Sequence, residues 1–278
     1  MSTPLNGRVV AITGAGRGIG AATAAALTRA GASVAIGDID LDTATATAKE
    51  IGGATTALRL DVTSPDGVES FMDAVEQQLG PIDVYINNAG VMPLSPVLDE
   101  SDETIDRVFA INTRAMIHGT RAAARRMLPR GKGHIVNVAS TAGKAGIAGS
   151  ATYSASKAAV IQYTESAYAE LHDQGLEFSI VMPGITRTEL ASGVEDMPGF
   201  RAITPEDVAD AIVAAVVTPR LEVWVPASAG PLMNLTRLMP VSVGQWLGRR
   251  MGVDRVFLDA AKRPERSAYE ARATGRDA

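Results

Sequence analysis

The chain has 278 residues and 28.9 kDa of mass, with 46% hydrophobic and 21% charged residues and a net charge of −5. That composition describes a globular chain with a sizeable core and argues against disorder. The acidic balance speaks against nucleic-acid binding, which needs a basic face. No cysteine is present, which excludes disulfides, thiolate nucleophiles and cysteine metal sites. His118, His134 and His172 lack zinc-cluster spacing, so no metal is expected.

The N-terminal MSTPLNGRVVAITG enters a strand pattern at once, without a charged and apolar leader. No later stretch approaches about 18 unbroken apolar residues, so a cytoplasmic protein is expected. Short β-branched runs then recur: RVVAIT (8–13), ASVAIG (32–37), ATTALRL (54–60), IDVYIN (82–87), HIVNVAS (134–140), LEFSIVM (176–182) and LEVWVP (221–226). Ala-rich stretches of helical periodicity separate them. This alternation predicts an α/β fold, a doubly wound parallel sheet with helices on both faces. Gly31 is expected to close the first helix, Ser64-Pro65 to open another before Gly80-Pro81, and Thr204-Pro205 with Asp207 to open one over about 205–217.

The first strand runs directly into TGAGRGIG, Thr13 to Gly20. Glycine removes the Cβ barrier to a tight turn and lets the backbone approach a pyrophosphate, whose charge is favoured at the following helix N-terminus. About 20 residues further, Asp38 ends the second strand in IGDID, placed to accept hydrogen bonds from a ribose and to repel a 2′-phosphate. NAD therefore leads over NADP. Arg17 inside the turn points the other way if it pairs with that phosphate rather than facing solvent. Asp38 and Asp40 also suit simple turn formation.

These residues, with Asp61-Val62 in RLDV, NNAG at 87–90, Asn112 in FAINTRA, Ser140, Tyr153, Lys157 and PGITRT at 183–188, resemble the short-chain dehydrogenase/reductase family over roughly 6–226. The resemblance implies a Rossmann-type sheet of seven strands, a nicotinamide dinucleotide, hydride transfer at an alcohol or carbonyl carbon, and a homodimer or homotetramer. It places Gly14, Gly16, Arg17, Gly18, Ile19 and Gly20 at the phosphates, and Asp61 and Val62 near the adenine. Asn88, Ala89 and Gly90 would shape the cleft; Pro183, Gly184, Ile185, Thr186 and Thr188 would meet the nicotinamide and nearby phosphate. Asn112, expected mid-helix in FAINTRAM, resembles the family residue that anchors a water and completes a proton relay through Lys157.

In ATYSASKAAV, Tyr153 and Lys157 lie four apart, on one face of the expected helix. A free phenol has a pKa of about 10. A neighbouring ammonium and a cationic nicotinamide favour the phenolate; a lowering of ~3 pH units requires ~4 kcal/mol. Tyr153 is then the expected general base for alcohol oxidation and acid for ketone reduction. Lys157 would tune the phenol and bind the nicotinamide ribose. Ser140, expected at the fifth strand's end, would hold the substrate oxygen. A serine hydrolase is not supported, because no G-x-S-x-G elbow occurs.

Substrate residues are expected on loops 91–100, 141–150 and 185–202, where Met92, Leu94, Ile147, Leu190, Met197 and Phe200 suggest an apolar secondary alcohol or ketone. Arg187 suits a carboxylate or solvent. Residues 1–226 are expected to form the catalytic domain and 227–278 a helical extension. Leu232, Leu235, Leu238, Met239, Val243, Trp246, Leu247 and Met251 form apolar stripes beside Arg237, Arg249 and Arg250. Three readings stand: packing on the core or a partner subunit, a lid over a lipophilic substrate, or a membrane-surface contact. The last 18 or so residues read as a charged, poorly packed end. The expected activity is NAD(H)-dependent alcohol–ketone interconversion, with an NADPH-dependent carbonyl reductase or a non-catalytic dinucleotide sensor as alternatives.

Overall fold

Seven short strands, β1 (Val9–Thr13), β2 (Ser33–Asp38), β3 (Thr55–Arg59), β4 (Val84–Asn87), β5 (Gly133–Val138), β6 (Leu176–Pro183) and β7 (Glu222–Val225), form one sheet. Their order is β3-β2-β1-β4-β5-β6-β7 and every neighbouring pair is parallel. The computed structural model describes residues 4–195, 202–237, 239–250 and 252–275. Met197, Phe200, Leu238 and Met251, and the side chains of Arg237 and Leu247, lie outside the described residues.

The apolar runs form strands because helices cover both sheet faces. Alternate side chains enter opposite layers. Val10 and Ile12 pack with Ala24 and Leu27 of α1 (Gly18–Arg29) and with Val208 and Ile212 of α7 (Pro205–Val217). Val9 and Ala11 face the other layer, with Phe71 and Met72 of α3 (Pro65–Leu79) and Met127 of α5 (Ala115–Met127). Burying each such large side chain contributes about 1.5–3 kcal/mol.

Helix starts follow the local chemistry. Ser64 Oγ accepts the Gly67 amide at 3.1 Å to open α3, with Pro65 at its first position. Thr204 and Asp207 form a reciprocal capping box on α7. Asp40 caps α2 (Leu41–Ile51) by accepting the Thr43 amide at 3.0 Å. The turn-forming role of Asp40 is therefore real.

Two departures matter for the site. Asn112 does not sit in a regular helix: α4 (Asp102–Phe109) and α5 are joined by a π-helical turn, Ala110–Arg114. Asn112 holds this turn against the chain after β4, because its Oδ1 accepts the Val91 amide at 2.8 Å and its Nδ2 donates to the Val91 carbonyl at 2.9 Å. Ser140 lies beyond β5, which ends at Val138; it opens a short 3₁₀ turn, Thr141–Gly143, by accepting the Ala142 amide.

After β7 the chain forms α8 (Ala229–Arg237), α9 (Val241–Arg250), α10 (Val253–Ala260) and α11 (Ser267–Thr274). Leu232, Leu235, Val243 and Trp246 are exposed in the single chain, so these members of the expected stripes do not pack on its core. The charged end behaves oppositely: Arg266 is completely buried and α11 docks on the body. Poor packing was the wrong expectation there, because the arginine finds carbonyl partners from distant loops. Among the described residues no helix is long and apolar enough to cross a membrane, and no cluster of three His, Cys, Asp or Glu residues could hold a metal ion.

Candidate active site

The strand order reverses between β1 and β4, where doubly wound sheets open a crevice at the carboxyl ends of their strands. The glycine turn lies there. Gly14 has φ +62° and a Cβ on it would meet Ala89 Cα at 2.7 Å; a Cβ on Gly20 would meet the Gly14 carbonyl oxygen at 2.5 Å. Gly18 is also left-handed, at φ +58°. Thr13 Oγ1 accepts the amides of Asn88 and Ala89, each at 3.1 Å, and Asn88 Nδ2 donates to the carbonyls of Thr13 and Gly14. These bonds fix the turn to the β4 end.

Among the described residues no side chain caps the N-terminus of α1. Its first amides have no acceptor within the helix and suit a phosphate group. Together with the close-packed glycines, this backbone cradle fits a dinucleotide. Ile19 turns partly onto the sheet core. Asp38 accepts the Gly16 amide at 2.9 Å and the Asp40 amide at 3.1 Å, so it shapes the turn while standing at the β2 end. Arg17 Nη2 donates to Asp40 Oδ2 at 2.7 Å and Thr43 Oγ1 at 3.1 Å. Asp61 is exposed and accepts from the Thr63 amide and hydroxyl. Val62 lines a small cavity with Ala89 and Ile111.

The loop after β6 closes the opposite side. The Gly184 amide donates to the Val225 carbonyl at 2.8 Å, while Pro183 accepts from Thr141 Oγ1 at 3.2 Å. Thr186 Oγ1 donates to the Gly184 carbonyl at 3.1 Å. Thr188 stands against the glycine turn, its Cγ2 3.5 Å from where a Gly18 Cβ would lie. Arg187 is exposed.

Tyr153 and Lys157 occupy one buried face of α6 (Ala151–Leu171), at 7% and 4% exposure. Lys157 Nζ donates to the Val138 carbonyl at 2.8 Å and lies 5.9 Å from the Tyr153 ring centroid. A Cβ on Gly90 would fall 3.3 Å from Asn112 Oδ1 and 3.4 Å from Lys157 Nζ, so all three converge. Asn112 Nδ2 also donates to Ser156 Oγ at 3.0 Å. Its side-chain groups are thus engaged by protein.

Electrostatics in the chain alone run against an acidified phenol. Burial pushes Tyr153 up to about 12, and the hydrogen-bonded Ser140 hydroxyl works the other way. Burial also pushes Lys157 down to about 8. Loss of water therefore decides the phenol's state in the chain alone, against the lowering expected from Lys157.

An apolar wall surrounds Tyr153. Met92, Leu94, Ala142, Phe257 and Ala260 pack with it, and Ile147, Ile185, Leu190 and Val194 sit against them. Phe257 on α10 and Tyr269 on α11 were not among the expected site residues. Tyr269 carries no local sign of its placement here; its hydroxyl accepts the Met92 amide at 2.7 Å, burial pushes its pKa up, and a charge on Tyr153 would push it higher still.

A family model described as short chain dehydrogenase matches residues 8–199. The chain is 36% identical over 213 residues to the ketoacyl reductase HetN of Nostoc sp., an alignment covering 75% of this chain and 72% of that protein. It is 35% identical over 176 residues to cyclopentanol dehydrogenase of Comamonas sp., covering 59% and 70% respectively. Among solved structures, a short chain dehydrogenase/reductase from Burkholderia phymatum in complex with NAD superposes with a TM-score of 0.76 at 26% identity, over 84% of this chain and 93% of that one.

Proposed function

The chain belongs to the short-chain dehydrogenase/reductase family, oxidoreductases acting on CH–OH groups with a nicotinamide dinucleotide, and on that premise we propose that it interconverts an apolar secondary alcohol and its ketone using NAD(H). The observation that carries this reading is the meeting of Ser140, Tyr153 and Lys157 beside an apolar wall. When bound, the dinucleotide supplies the hydride acceptor or donor. Gly14 to Gly20, Asp38, Asn88 to Gly90, Thr186 and Thr188 would hold it, with Lys157 at the ribose next to the nicotinamide.

Tyr153 handles the proton. With its pKa near 12 the phenol is protonated at neutral pH, the form that donates to a substrate carbonyl oxygen during reduction. Oxidation requires the phenolate, which the Ser140 hydroxyl and the Lys157 ammonium both favour. Ser140 would hold the substrate oxygen. Lys157 and Asn112, converging at Gly90, would connect the phenol to the protein interior.

Two observations support NAD over NADP. Asp38 stands at the end of β2 beside the glycine turn, where its carboxylate would face an adenosine ribose and repel a 2′-phosphate. Arg17 is engaged by Asp40 and Thr43. The second reading, an NADPH-dependent carbonyl reductase, draws on that same pair: both side chains are more than 40% exposed, and an ion pair so hydrated is weak enough to exchange for a phosphate.

The apolar wall supports an apolar substrate, since a polyol would leave hydroxyls without partners there. A panel of cyclic and open-chain secondary alcohols, their ketones and polyols, assayed with NAD(H) and NADP(H), tests the reading. Turnover of the apolar members with NAD(H) is expected. Turnover with NADP(H) alone overturns the Asp38 argument, and preference for polyols overturns the substrate class.

A further inference from the structure

Arg266 stands just before α11, yet its side chain is completely buried. Its Nη1 donates to the carbonyls of Leu190 at 2.8 Å and Ser192 at 2.9 Å, its Nη2 to the carbonyl of Met92, and its Nε to the Glu270 carboxylate. One planar fork therefore ties the segment after β4 and the loop after β6 to the C-terminal helix. A lysine would present a point charge instead and could not span three carbonyls in this way.

The same helix returns two bonds to the first of those segments. Tyr269 accepts the Met92 amide at 2.7 Å and Glu270 Oε1 accepts the Leu94 amide at 3.1 Å. The guanidinium lies 4.8 Å from the Tyr269 ring centroid, fixing the ring that neighbours Tyr153. At the far end, Arg107 Nε of α4 donates to the Ala273 carbonyl at 2.9 Å. The helix is pinned at both ends. From the preceding α10, Phe257 at 4% and Ala260 at 0% exposure close the space around Tyr153.

We propose that Arg266 is a positioning residue that sets the size of the substrate chamber. It holds the two substrate-facing loops against α11, so that Tyr269 and Phe257 form the wall opposite Tyr153. The chamber takes a compact apolar alcohol or ketone and rejects bulky substituents. This inference rests on the reading of Tyr153 as the proton donor and acceptor.

The test compares the parent with Arg266→Lys and Phe257→Ala on a compact cyclic ketone and a bulky aryl-substituted one, with NADH and NADPH. The selectivity for the compact ketone, as a ratio of kcat/KM values, should fall roughly tenfold in both variants, carried by KM, because pocket contacts of this kind discriminate on that scale. NADH affinity, read by fluorescence titration, should stay unchanged. A purely structural role for Arg266 would lower kcat equally for both ketones, and an unchanged ratio in both variants overturns the proposal.

A readout without substrate runs beside it. Hydrogen–deuterium exchange at the Met92 and Leu94 amides should quicken in Arg266→Lys, and equal protection in parent and variant overturns the proposal by itself. Should Tyr153→Phe turn over as fast as the parent, the proton reading fails while the exchange result still decides whether Arg266 holds the loops.

Discussion

Lys157 sits 5.9 Å from the Tyr153 ring centroid, but its ammonium hydrogen bond goes to the carbonyl of Val138 at 2.8 Å. The lysine is held by the end of β5, one helical turn from the phenol. Burial of both groups then dominates, raising the phenol to about 12 and lowering the ammonium to about 8. Each shift disfavours the charged form, as expected of groups withdrawn from water.

Tyr153→Phe should therefore bind NADH nearly as the parent does and lose turnover about 10²- to 10⁴-fold, the range typical of a general acid or base. In the nucleotide-free chain, the ultraviolet difference titration of parent against Tyr153→Phe should show no phenolate from this residue below about pH 11. Phenolate at pH 7 in that state would contradict the burial argument.

Asp38→Asn tests cofactor choice by charge alone. Binding of NADPH relative to NADH should improve roughly tenfold or more, equivalent to about 1.4 kcal/mol, as the repulsion of the 2′-phosphate is removed. Fluorescence titrations with each nucleotide measure the ratio. No change would mean that Asp38 serves only the Gly16 and Asp40 amides.

Gly20→Ala probes the backbone cradle. Its Cβ would approach the Gly14 carbonyl oxygen to 2.5 Å and Ala15 Cα to 2.7 Å, contacts with backbone that cannot rotate away. A loss of about 1–3 kcal/mol in urea unfolding and weaker NADH binding are expected. Gly146→Ala, where a Cβ meets nothing within 4 Å, serves as the stability control.

His134 couples stability to acidity. Its Nε2 pairs with Ser179 Oγ at 2.9 Å, and burial pushes its pKa down to about 4. An unfolded histidine has a pKa of about 6.5. Between those values the unfolded chain binds a proton that the folded chain refuses, so this contribution is complete above pH 6.5 and is lost as pH falls toward 4. The whole contribution is on the order of 3 kcal/mol, of which roughly 2 kcal/mol should be gone by pH 5. Urea midpoints at pH 7.5 and 5 should differ less in His134→Gln than in the parent; equal differences would remove His134 as the cause.

Much of the architecture was legible along the chain. Apolar runs alternating with Ala-rich stretches produced parallel strands between helices, and Ser64, Thr204 and Asp207 marked the helix starts where they cap them. Asn112 was legible as a residue of interest but not as the clasp of a π-helical turn, because its partner Val91 lies in another segment. Ser140 was read as a strand end although it caps the turn beyond.

Local order decided what could be read: a hydrophobic period, a glycine after a strand and a tyrosine one helical turn from a lysine are all written within a few residues of each other. The roof over Tyr153 is different. Arg266, Tyr269 and Glu270 stand in a stretch whose composition is that of a solvated helix, yet Arg266 is fully buried and the other two are half-buried, because Met92, Leu94, Leu190 and Ser192 present carbonyls and amides from more than 70 residues away. A charged side chain goes inside only when its hydrogen-bond partners are already assembled there, and that assembly exists only once the sheet has brought the ends of β4 and β6 to the same edge.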